Sequence, residues 1–105
     1  SGNSFVHETE SQVILNGSYN INFTMDLVLK DTGLFDDLAK KLNAPLEISP
    51  KIVEIFKDGQ KKYGSRAWSS MIVKRMEDLN NIDFRVKGFP DELIDNEPEE
   101  KGFEI

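Results

Sequence analysis

Residues 27–42 read LVLKDTGLFDDLAKKL, and the spacing of their apolar positions decides the fold. Placed at 100° per residue, Phe23, Leu27, Leu34, Phe35, Leu38 and Leu42 share one broad face. That is helical spacing, not the alternation of a strand. It predicts one long helix over 22–43. Asp31 falls between Leu38 and Leu42 inside the stripe, and Lys30 falls at its edge, near the direction of Phe23. Asp26, Asp36, Asp37 and Lys40 all lie outside it. A carboxylate turned into an apolar face needs a partner, because an unpaired buried charge costs several kcal/mol. Periodicity leaves two accounts open. Asp31 caps or pairs with a structural neighbour, or the face lines a polar cavity that Asp31 and Lys30 reach.

The flanking sequence is also helical. Phe5, Val6, Val13 and Ile14 mark a weak helix over 5–15. Asn16-Gly17 opens a turn, and residues 44–49 read as a linker. Ser49 and Pro50 form a helix start, with Ser49 as cap and Pro50 at the first position. In that helix Ile52, Ile55, Phe56, Gly59 and Tyr63 share a face, and Gly64 ends it. A further helix over 67–79 points Trp68, Met71, Ile72, Met76 and Leu79 inward, with Ser69 and Ser70 at its start. From Asn80 the composition turns acidic and gains prolines and glycines. The expected fold is all-α: a helical bundle over 1–79 and an extended acidic tail over 80–105. The tail is either a solvated end or a strap pinned by Phe84, Phe89, Leu93, Phe103 and Ile105.

Composition narrows the function. With 105 residues the chain holds about one domain and a small core. A net charge of −6 argues against nucleic acid, whose binders neutralise phosphates with Lys and Arg. Cysteine is absent and the one histidine is His7, so Cys-ligated metals, His clusters and a His-based triad are disfavoured and no metal site is expected. His7 reads as an exposed helix residue. No apolar run approaches the ~18 residues of a membrane span, and no signal-peptide pattern opens the chain; the expected location is cytoplasmic, without membrane contact. Arg66, Lys74 and Arg75 read as a solvated basic face or as contacts to an anionic substrate.

One resemblance covers residues 4–77. Ile14, Leu15, Gly17, Tyr19, Phe23, Leu27, Lys30, Asp31, Leu38, Ala39, Pro45 and Leu46 match a pattern of apolar lead-in, Phe, then Leu-x-x-Lys-Asp, then a Leu/Ala-rich helix before a small-Pro-Leu segment. This resembles the C-terminal helical domain of the 3-hydroxyisobutyrate dehydrogenase (β-hydroxyacid dehydrogenase) family, relatives of 6-phosphogluconate dehydrogenase. The resemblance implies an NAD(P)-dependent oxidoreductase acting on a small β-hydroxy acid or its semialdehyde. It implies a cofactor-contacting role for Lys30, a catalytic-pocket role for Asp31 and a pocket-closing role for Phe23. It also implies association of subunits into a dimer or higher oligomer, for which Met25 and Leu29, opposite the main stripe, are candidate contacts. The stretch 65–70, SRAWSS, departs from the commoner family ending.

Two family features are absent from the chain. No Gly-x-Gly-x-x-Gly or strand–helix alternation provides a dinucleotide domain, and nothing upstream of Lys30 matches the motif of the family's catalytic lysine. The expectation is a C-terminal part of a longer enzyme, without its first helix, inactive alone and with an apolar face left uncovered. The alternative is a stand-alone acidic helical interaction module.

Overall fold

A computed structural model of the chain describes residues 1–90. Four helices follow one another: α1 (Phe5–Asn16), α2 (Met25–Lys41), α3 (Ser49–Tyr63) and α4 (Ile72–Asn80), the last entered through a 3₁₀ turn at Ser69–Met71. No strand occurs among the described residues, so the all-α expectation holds there. Leu93, Phe103 and Ile105, the outer pins expected of the tail, lie outside the described residues.

Local chemistry sets the boundaries. The Ser4 hydroxyl caps α1 by accepting the His7 amide at 3.0 Å, and Gly17 ends it at φ 83°, in the left-handed region that favours glycine. α2 begins three residues later than periodicity predicts. Asn22 has φ 59°, and Thr24 is extended and bridges Trp68 in antiparallel fashion. The Ser69 amide donates to the Phe23 carbonyl at 2.7 Å and the Met25 amide to Ala67 at 2.9 Å. Phe23 therefore sits in an extended lead-in, not in the helix. Ser49 does not cap α3; it is the helix's first residue, and its hydroxyl donates to Asp36 Oδ1 at 2.5 Å. The expected helix over 67–79 is divided for the same reason α2 starts late, since Trp68 and Ser69 are engaged with residues 23–24.

The core is small: Val13, Tyr19, Met25 and Ala39 are its buried apolar side chains. Met25 is fully buried and packs over Gly59 of α3, where a Cβ would come within 2.9 Å of Ile72 and 3.3 Å of Met25. A missing side chain there lets α2, α3 and α4 approach. This reverses the expected orientation of α2. The face carrying Met25, Leu29 and Ala39 turns inward, so Met25 is core and not a subunit contact, and Leu29 is half-buried. Leu34, Phe35, Leu38 and Leu42 are instead exposed, by 63%, 55%, 53% and 68%. On α4, Met76 and Leu79 are also exposed, contrary to expectation, and Glu77 takes the inward place at 1% exposure.

Residues 81–90 cross the C-terminal end of α1. The Val86 amide donates to the Leu15 carbonyl at 2.9 Å, the Asn16 side-chain amide donates to the Pro90 carbonyl, and Arg85 donates to the Ile14 carbonyl at 3.3 Å. This part of the tail is a strap.

Candidate functional site

Lys30 and Asp31 stand on the solvent side of α2, Nζ 3.5 Å from Oδ1, with side chains 62% and 59% exposed. An ion pair this wet is worth at most about 1 kcal/mol, so it does not hold the fold together. Asp31 shares its face with Leu34, Leu38 and Leu42, but that face is open, so the carboxylate incurs no burial penalty here. The acid in the stripe is thus neither a cap nor a sealed structural bridge. Phe23, eight residues before Asp31, is 37% exposed in its extended segment.

The remaining basic residues singled out from sequence are engaged locally. Arg66 reaches Asp26 Oδ2 at 3.1 Å, Lys74 reaches Asp78 at 2.8 Å, and Arg75 Nε reaches Asp58 at 2.7 Å, joining α4 to α3. The hydrogen bond from Thr24, with help from Arg66, holds the Asp26 carboxyl below its usual range. Arg75 does the same for Asp58. Tyr63 donates to Asp78 at 2.7 Å; burial and that carboxylate push its phenol up to about 12. Ser70 is buried and donates to Glu10 at 2.9 Å, which leaves it a packing residue. His7 is exposed, 3.3 Å from the Ser11 hydroxyl. No group of three carboxylate or histidine side chains among the described residues could hold a metal ion.

A buried polar cluster escaped the sequence reading. The Tyr19 hydroxyl donates to Glu77 Oε1 at 2.5 Å and accepts from Arg85 Nη2 at 2.6 Å. Arg85 Nη1 donates to Glu77 Oε1 at 3.3 Å and lies 3.2 Å from Oε2, where the contact is ionic without hydrogen-bond geometry. Its guanidinium also rides over the Tyr19 ring, 5.1 Å from the centroid. Burial alone pushes the Glu77 carboxyl up, but the bonds from Tyr19 and Arg85 outweigh it and hold the carboxyl below its usual range. Burial and the Glu77 carboxylate raise the Tyr19 phenol. One signal was available: Glu77 follows Val73 by one turn and Ser70 by two, which places it on their face.

A groove of about 490 Å³ also runs between α2 and α3, bordered by Lys30, Gly33, Asp36, Asp37, Lys40 and Lys57. Asp31 is not among its walls, so the pair divides: Lys30 reaches the groove and Asp31 the open apolar face. Glycine inside a helix costs about 1 kcal/mol relative to alanine. Gly33 has no left-handed backbone to excuse it, and a Cβ there would meet nothing within 4 Å.

Comparison with known proteins supplies the class. Residues 1–76 match the family described as NAD-binding of NADP-dependent 3-hydroxyisobutyrate dehydrogenase. The chain belongs to that family, one of hydroxyacid oxidoreductases. It is 30% identical to 2-(hydroxymethyl)glutarate dehydrogenase of Eubacterium barkeri, over 78% of this chain and 28% of that enzyme. It is 30% identical to L-threonate dehydrogenase of Escherichia coli K12, over 69% of this chain and 24% of that enzyme. An L-threonate dehydrogenase of Haemophilus influenzae matches to the same extent. The chain thus spans about a quarter of the length of these curated relatives. No solved structure gives a significant match.

Proposed function

We propose that this chain is the C-terminal helical part of an NAD(P)-dependent oxidoreductase resembling 6-phosphogluconate dehydrogenase, interconverting a small β-hydroxy acid and its semialdehyde. The chain supplies cofactor-contact and substrate-pocket residues and a subunit interface, and is inactive without a dinucleotide-binding unit. The observation that carries the reading is the Lys30–Asp31 pair, 3.5 Å apart, with Asp31 on the uncovered apolar face of α2 and Lys30 at the adjoining groove. The three named relatives are dehydrogenases of 2-(hydroxymethyl)glutarate or L-threonate, which supports that substrate class.

NAD(P), when bound, supplies the hydride acceptor. Lys30, with its ammonium in solvent, fits an anionic dinucleotide. Asp31 is placed to hold and orient an acid–base ammonium or a substrate hydroxyl. Phe23 and the exposed leucines supply the wall that excludes water once a second unit covers them. The same uncovered residues serve association into a dimer or larger oligomer.

The test joins the chain to the dinucleotide-binding unit of an L-threonate dehydrogenase relative and follows NAD(P)H fluorescence on titration. Loss of one charge-assisted contact is worth about 1.5–3 kcal/mol, so Lys30→Gln should weaken cofactor binding at least tenfold. An unchanged dissociation constant would remove Lys30 from the cofactor site.

A further inference from the structure

Asn16 and Gly17 close α1 beneath the strap, and the pair is reactive by composition. An asparagine followed by glycine is prone to ring closure, because no Cβ hinders the next amide nitrogen from reaching the side-chain carbon. The geometry both primes and restrains that reaction. Asn16 Oδ1 accepts the Ser18 amide at 2.7 Å, which polarises the side-chain carbonyl toward a nucleophile. Against this, the Gly17 amide is spent on the Ile14 carbonyl at 3.1 Å. Asn16 Nδ2 donates to the Pro90 carbonyl, at the far end of the strap. Arg85 lies on Gly17, where a Cβ would come within 2.6 Å of its Nε. The last two restraints belong to the strap and not to α1.

From these contacts we propose that Asn16 is a self-modification site whose reaction is held off by the strap of residues 81–90. When the strap lifts and the last turn of α1 frays, the Gly17 nitrogen attacks Asn16 Cγ. The N–Cγ bond forms, the Cγ–Nδ2 bond breaks, and ammonia leaves carrying the Gly17 proton. Water then opens the cyclic imide to aspartate or isoaspartate, and nothing is oxidised or reduced. The product cannot remake the latch. Its carboxylate meets the Pro90 carbonyl acceptor to acceptor, with no hydrogen between them. It also sets a negative charge at the C-terminal end of α1, where the helix dipole disfavours it. Conversion turns a reversible opening into a permanent one. The inference involves neither Lys30 nor Asp31 and needs no turnover, so it stands or falls apart from the dehydrogenase reading.

The experiment incubates the 105-residue chain in mildly alkaline buffer, folded or in urea. Tandem mass spectrometry follows amide-to-acid conversion at Asn16. Conversion in the folded chain should be at least tenfold slower than in urea, since reaction waits on local opening. Val86→Pro removes the amide that donates to Leu15. It should speed conversion several-fold over the wild type while keeping the helical circular dichroism. Ala39→Gly weakens α2 without touching the strap and should leave the rate near the wild-type value. A separate measurement uses Asn16→Asp, which carries the product side chain. Hydrogen exchange at the Val86 amide should quicken at least tenfold in it. Equal conversion rates in the folded and urea-unfolded chain, acceleration by Ala39→Gly as large as by Val86→Pro, or unchanged Val86 exchange in Asn16→Asp overturns the proposal.

Discussion

Arg85→Ala should cost about 1–3 kcal/mol of stability, the range for leaving a buried polar group without its partner, because Arg85 itself is 37% exposed and its half of the pair is screened by water. Glu77 is the reason. Its side chain is fully buried, and its counter-ions within the described residues reduce to Arg85. Truncation leaves a carboxylate in the interior without a charged partner, held by the Tyr19 hydroxyl and the Phe84 backbone. It also frees the strap, since Arg85 ties residues 81–90 to the Ile14 carbonyl. Domains of this size are stable by about 5–15 kcal/mol, so the variant should unfold at lower urea concentration. The cluster also fixes the sign of the pH dependence. Glu77 has its carboxyl lowered in the folded state, so its contribution is present above the ordinary glutamate range and is lost as pH falls through the depressed value. Urea midpoints at pH 6 and pH 3.5 should therefore differ more for the wild type than for Arg85→Ala. Equal midpoints for variant and wild type at pH 6 would show that the cluster does not hold the fold.

Asp31→Asn should lower kcat/KM of the protein joined to a dinucleotide-binding unit by about 10²–10⁴-fold, the span for a group that supports acid–base chemistry, with little change in melting temperature. Exposure separates the two effects. The Asp31 carboxylate is 59% exposed and its bridge to Lys30 is wet, so the fold barely notices its loss. Glu54→Gln, an acid on α3 whose side chain is 71% exposed, provides the control and should leave turnover unchanged. A loss of stability in Asp31→Asn, or equal rates in both variants, would return Asp31 to the ordinary surface.

Helix spacing was legible. Caps, glycines and the apolar period placed α1, α3 and the middle of α2 within a few residues. What stayed hidden was which face each helix turns inward. On α2 the larger hydrophobic face, Leu34 to Leu42, lies outside, and a lesser one built on Met25 and Ala39 lies inside, because Gly59 and Ala39 allow close approach there. A hydrophobic period reports that a face is apolar, not what covers it. The start of α2 was hidden because the Thr24–Trp68 bridge joins residues 44 positions apart. The Lys30–Asp31 pair was found because an acid inside a leucine stripe violates a local rule. The Tyr19–Glu77–Arg85 cluster was not, since its members are ordinary in sequence and gain meaning only where the loop after α1, helix α4 and the strap meet.

The central claim is that this helical unit completes a hydroxyacid oxidoreductase. Its most direct measurement is the change in NAD(P)H absorbance with a small semialdehyde, for the chain alone and for the chain joined to a dinucleotide-binding unit. The account predicts no turnover alone and cofactor-dependent turnover when joined. Turnover by the isolated chain, or none from a folded joined protein that binds NAD(P)H, would contradict it.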